Sequence, residues 1–171
     1  MKKLFYCALI AGVFSSCMSG NSTDERARHS KERLQQFYDQ VVNAHNADLV
    51  DSFFTADFVD HQMDPAPALG MEGMKSSMKE FFAAYPDAHV KAEFMIAEGD
   101  TVMAKLVMTG TNSGPLKGMA ATNKSIDIQG IAVFALKGNK FSARWRYFDD
   151  LKMMQQLGMM PKEMSDSSSK K

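Results

Sequence analysis

Cysteine is nearly missing from this chain. It has two, Cys7 and Cys17, both close to the N-terminus. That excludes a disulfide framework in the body of the chain, so a packed core has to hold it together. Histidine is also scarce. His29, His45, His61 and His89 never fall at metal-ligand spacing, so no protein-bound metal is expected. His61 with Asp60 and Asp64 is read as a loop edge facing several ways. Charge of one sign is not in excess either, with 20 basic and 20 acidic residues. Without a basic stripe there is no case for nucleic acid. No nucleophile elbow, Ser-His-Asp set or phosphate loop occurs, and there are no internal repeats.

Long apolar runs are lacking as well. Leu4 to Phe14 is uncharged and follows Lys2 and Lys3. It is too short for a permanent span, which takes roughly 20 residues, and has the length of a signal-peptide core. Ser15 and Ser16 then precede Cys17. This resembles the lipobox of bacterial lipoproteins, although Phe14 stands where Leu or Val is commoner. The expectation is a signal over 1–16 and a lipid on Cys17, which begins the mature chain. A tether over 17–24, one domain over 25–161 and a disordered polar tail over 162–171 would follow. The chain would then sit on the membrane in the cell envelope. No acidic residue follows the cysteine at Met18 or Ser19, which favours the outer membrane. The competing reading is an ordinary secretory signal with Cys17 as a stray thiol.

What is present is a change of period. Ser22 or Thr23 suits a helix cap. Leu34, Phe37, Tyr38, Val41 and Val42 then recur at helical spacing. Leu49, Val50, Phe53 and Phe54 share one side of a second, short helix. Asp57 to His61 is extended. Gly70 opens a third helix, with Met71, Met74, Met78, Phe81, Phe82 and Tyr85 on its apolar face, and Pro86-Asp87 ends it. From residue 88 the period is two. Val90, Ala92, Phe94 and Ile96 alternate, then Val102, Ala104, Leu106 and Met108. Strands are expected over 125–136 and 141–149, and a last short helix over 151–157. Three helices followed by antiparallel strands predict an α+β domain, its helices packed on a strongly bent antiparallel sheet. The fifteen methionines fit either adaptable packing or a Met-lined cavity.

On the last strand, alternation puts Phe141, Ala143, Trp145, Tyr147 and Asp149 on one face. Arg144, Arg146 and Phe148 lie on the other. Asp149 in an apolar pocket would be a general base whose proton affinity is raised by burial. Asp149 outside such a pocket would cap the helix that follows. Both readings stand. Gln129, before Gly130 on the central strand, either points an amide into a cavity or faces solvent.

Trp145 to Asp149 with Gln155-Gln156-Leu157-Gly158 resembles the W-x-x-x-D…Q-Q-L-G ending of the SnoaL-like polyketide cyclase (ester cyclase) family. Asp64-Pro-Ala-Pro, Glu72-Gly73, Tyr85-Pro86-Asp87, Ala97-Glu98-Gly99-Asp100, Gly110-Thr111, Gly130-Ile131 and Gly138-Asn-Lys140 match in the same order, over about residues 30 to 160. The resemblance implies a nuclear transport factor 2-like cone with an apolar cavity. It also implies cofactor-free acid–base chemistry on a small apolar carbonyl compound: aldol-type cyclisation, isomerisation or dehydration. Asp149 would be the acid–base group and His61 a partner near the mouth. Trp145 and Tyr147 would shape the pocket, and Gln129 would bind or polarise the substrate. Asn112 stands where the family commonly has histidine and would contact the substrate. Two copies would pair through the open sheet face. The alternative is a non-catalytic ligand-binding lipoprotein built on the same cavity, because polyketide assembly is cytoplasmic work and a fold does not carry a function with it.

Overall fold

The structure, a computed structural model, describes residues 19–61, 70–116 and 118–160. The signal, Cys17, the Asp64–Pro67 turn and the tail from 162 lie outside the described residues.

Helix α1 spans Ser19–Phe37. It runs through Ser22 and Thr23, so neither caps it, and the expected tether is already helical from Ser19. The stretch from Asp24 to Gln36 is rich in charged and amide side chains of good helix propensity. Arg28 and Glu32 pair across one turn at 2.7 Å, which supports the exposed side. Its C-terminal end turns inward, burying Leu34 and Phe37. A π-helical turn, Tyr38–Val42, follows and buries Tyr38 and Val41. The turn closes when the Asn43 N–H donates to the Tyr38 carbonyl at 2.8 Å. A 3-10 turn (Ala47–Leu49) and the short α2 (Val50–Phe53) come next. Phe54 is buried as expected but already extended, opening strand β1, Phe54–Asp60. Helix α3 is Gly70–Ala84.

Strands β2 (His89–Glu98), β3 (Thr101–Thr111), β4 (Ser125–Lys137) and β5 (Lys140–Phe148) lead into helix α4, Asp150–Leu157. The sheet order is β1-β5-β4-β3-β2. Strands β2 to β5 pair antiparallel, but β1 lies parallel to β5. The expected all-antiparallel sheet is therefore mixed. A parallel pair needs a long crossover, and α3 with the β2–β4 meander supplies it.

Two bulges decide which side chains face the helices. In β2 the register shifts between Ala92 and Phe94. Val90 and Ala92 face inward, but beyond the shift Met95 and Ala97 take over the inner face. Phe94 and Ile96 are turned out, 51% and 58% exposed, against the alternation expected for them. In β5, Phe141 pairs with Leu136 while Ala143 pairs with Ala135, so Ser142 is the extra residue. A bulge moves every following side chain to the opposite face. Phe141 therefore belongs to the core, whereas Ala143, Trp145 and Tyr147 face out and Arg144 faces in.

The main core forms where α1 and its π turn lie on the inner face of the sheet. Phe37 sits at its centre, with the rings of Phe53, Phe54, Phe134 and Phe141 all within 6.0 Å. Tilted and edge-on contacts of this kind add about 0.5–1.5 kcal/mol per pair beyond area burial. A second, smaller cluster joins Ala84, Tyr85 and Ala88 to Ile126 and Leu157. The Asn43 side chain donates to the Val90 carbonyl at 3.0 Å and accepts from the Val90 N–H at 2.8 Å, tying the π turn to the outer edge of β2.

Candidate functional site

The inner face of the sheet is apolar except at one place. There β1 and β5 run side by side, with Asp60 in register with Arg144. Arg144 is buried, and its Nη2 donates to the Asp60 carboxylate. Its guanidinium also lies 5.8 Å from the Phe58 ring centroid. Arg146 follows two residues on, so it shares the inner face. Tyr38 from the π turn is buried nearby, and both arginine charges act on its hydroxyl. Partly buried Phe58, Met71, Met78, Met95, Met108 and Phe148 pack against this core.

The electrostatics of the cluster are unbalanced. Two guanidinium groups face one carboxylate in direct contact. The Nε atoms of Arg144 and Arg146 are both shielded from solvent and find no hydrogen-bond partner among the described residues. Desolvation, then the repulsion of Arg144, pushes the Arg146 pKa down to about 9, with Asp60, Tyr38 and Asp150 opposing. Arg146 still carries its charge at neutral pH. Burial raises the Tyr38 hydroxyl above its ordinary value, against the pull of the two arginines. That hydroxyl is a neutral donor at neutral pH.

The residues expected to form the site are not assembled there. Tyr147 is 70% exposed on the outer face. Trp145 is also on that face, and His61 stacks on its ring at 4.5 Å with the planes nearly parallel. His61 is exposed, and its backbone N–H continues the β1–β5 ladder to the Arg144 carbonyl. Gln129 is exposed on the outer side of β4, which is the solvent-facing alternative. The Ser142 bulge explains Trp145 and Tyr147, since it reverses the face on which they were expected.

Asn112 is buried, and both ends of its amide bond to its own loop. Nδ2 donates to the Gly114 carbonyl, and Oδ1 accepts from the Thr122 N–H and hydroxyl. It closes the loop between β3 and β4 instead of presenting a polar group to a ligand. That loop packs on the end of α3: the Ser113 and Gly114 N–H groups both reach the Ala84 carbonyl. A Cβ at Gly114 would stand 2.5 Å from the Ala83 carbonyl oxygen, so only glycine fits there.

Asp149 is exposed, and Oδ1 accepts from the Lys152 N–H at the start of α4. The helix-capping alternative describes this geometry, and the expected apolar pocket around Asp149 is not seen among the described residues. The rest of the closing segment works in the same local way. Beyond Phe148 strand β5 has ended, leaving the outer backbone groups of Asp127 on β4 without a strand partner. The Gln156 amide supplies both bonds, accepting from the Asp127 N–H at 2.9 Å and donating to its carbonyl at 3.1 Å. Leu157 plugs the second core cluster. Gly158, at φ +71°, terminates α4 in the left-handed conformation that glycine adopts at least cost.

Tyr38, Asp60, Arg144 and Arg146 were not assembled as a site from the sequence. The available signal was two arginines at alternate positions of one strand, which share a face. Which face they share depends on the bulge.

Helices on the inner side of a curved mixed sheet, with a polar cluster set into an apolar interior, define a cone-type α+β domain. Residues 32–157 match the sequence profile of the SnoaL-like polyketide cyclase family, and the chain belongs to that family. Solved structures agree. A candidate polyketide cyclase from Acidithiobacillus ferrooxidans is 27% identical with a TM-score of 0.68, over 78% of this chain and 96% of that one. A candidate SnoaL-like polyketide cyclase from Jannaschia sp. CCS1 is 21% identical with a TM-score of 0.69, over 80% and 96%. AclR, a candidate hydroxylase from Streptomyces galilaeus, shares the fold at 18% identity and a TM-score of 0.69, over 79% and 99%. A search of curated proteins found no match.

Proposed function

We propose that this domain binds a small, largely apolar molecule on the inner side of its sheet, against the polar cluster where β1 meets β5. The observation that carries the reading is Arg146: a partly buried guanidinium without a hydrogen-bond partner for Nε among the described residues, on the sheet face that carries a core of Phe side chains with Met side chains packed against it. Ligand sites are mostly apolar, with a few well-placed polar groups. The Met side chains packed against that core adapt to varied shapes. Membership of the family supports a carbonyl compound as the ligand class.

Whether chemistry follows binding turns on Asp149. Its place as an exposed cap supports the binding reading over acid–base catalysis. Asn is as good a helix cap as Asp, so Asp149→Asn keeps α4 intact and removes only the ionisable group. Native mass spectrometry of the full chain from its own cells should show a bound small molecule, held equally by the Asp149→Asn variant. A chain that carries nothing would sink the binding reading. If Asp149→Asn kept the ligand but lost turnover of a carbonyl substrate, the acid–base reading would stand instead.

The sequence supports an exported chain, anchored in the envelope by a lipid on Cys17. Cys17→Ser should move it from the membrane fraction to the soluble one. Continued membrane association of that variant would contradict the anchor.

A further inference from the structure

We infer that the ligand carries a carboxylate, or an equivalent planar anion, which docks on Arg146 beside the Tyr38 hydroxyl. This rests on the binding reading above and narrows its ligand class. The inner face of β5 presents Arg144 and Arg146 in succession. The Asp60 carboxylate accepts from Arg144 and also acts on Arg146, whose buried Nε has no hydrogen-bond partner among the described residues. The second guanidinium keeps its charge in a desolvated place. Such a charge is costly unless paired. An incoming carboxylate removes that imbalance and takes the forked geometry that a guanidinium offers.

Tyr38 fits the same role. Burial keeps its hydroxyl protonated, so it is able to donate to an anion, and it comes from a different element than the arginines. The π turn that carries Tyr38 is pinned to β2 through Asn43. An anion between Arg146 and Tyr38 would therefore bridge the helical layer and the sheet. The apolar remainder of the ligand would lie along Phe58, Met71, Met78, Met95 and Met108. The ligand class is thus an amphipathic organic acid with one anionic end and an aliphatic or aromatic body.

The test uses methionine methyl resonances of the full chain as local reporters. The probes are a series of straight-chain and phenyl-substituted carboxylic acids, each with its neutral primary amide, titrated at pH 7. The acids should shift the methyls of Met71, Met78, Met95 and Met108. Each amide should bind at least about ten-fold more weakly than its acid, since a charge-assisted bond is worth roughly twice a neutral one. Arg146→Gln should abolish that preference, and Tyr38→Phe should reduce it. Acids and amides shifting these methyls equally in the unmodified chain would overturn the anionic class and leave the binding site standing. Neither series shifting them would overturn both readings. The comparison of acid with amide in the unmodified chain stands even if a variant fails to fold.

Discussion

Arg146 is placed for something other than stability. Its folded-state pKa lies below the ordinary arginine value, so from about 9 up to that ordinary value the unfolded chain holds more protons than the folded one. Stability then rises with pH across that window, and below it the charged group is a standing cost to the fold. Replacing a desolvated ion with an apolar side chain of similar length is often stabilising. Arg146→Met should therefore make the ligand-free protein about 1–3 kcal/mol more stable at pH 7. In guanidinium titrations at pH 7 and pH 10 the advantage should shrink at the higher pH. A variant less stable than the parent at pH 7 would show that Arg146 packs more than it repels. Asp60, Arg144, Tyr38 and Asp150 all act on this group, so the same titrations on Arg144→Met would move Arg146 as well.

Elements were far more readable in the sequence than faces were. The helices over 70–84 and 150–157 and the four meander strands follow from period and turn residues. The Gly138-Asn139 turn, for example, separates two runs of clear alternation. The π turn, the parallel partner of β1 and the two bulges were not readable, because each depends on contacts with distant residues. One extra residue at Ser142 separates Phe141 from the face of Trp145, and Glu93 does the same in β2. Both pocket residues assigned from alternation on β5 fell on the wrong side for this reason, while the arginines, placed together on the opposite face, were given no role. The closing segment was recognised as a motif, but its local roles were not fully apparent. Gln156 stands in for a missing strand, and no pattern of apolar residues reveals that. Gln156→Ala should cost about 1–3 kcal/mol, the net worth of two hydrogen bonds. It should also accelerate hydrogen exchange at the Asp127 amide more than at Ile128. Unchanged exchange at Asp127 would mean that α4 stays docked without the clasp.

At the scale of the whole molecule, the outer sheet face is the unusual surface. The bulges deliver apolar side chains to it in two rows across the strands. Ile96, Met103, Val133 and Trp145 form one row, and Phe94, Lys105, Ile131 and Tyr147 the other. Ile131 and Tyr147 are largely exposed, and Lys105 is occupied by Glu93 at 2.7 Å. Contiguous apolar patches of this kind mark association sites. We propose that two copies pair through this face, each presenting the same rows to the other. Sedimentation equilibrium should give a dimer for the parent chain and a monomer for Ile131→Lys. A monomeric parent at micromolar concentration would refute the pairing. Because the Arg144–Arg146 cluster lies on the opposite face of the same sheet, pairing would not cover it.

The amide of Asn43 has a consequence beyond anchoring a turn. Strand β2 is one of the two border strands of the sheet, and an open border invites any extended chain to add itself. By holding both backbone groups of Val90, Asn43 occupies one of the positions where such a stranger would begin to zip. The small polar hook that fixes the helical layer therefore also works against self-templated fibre growth.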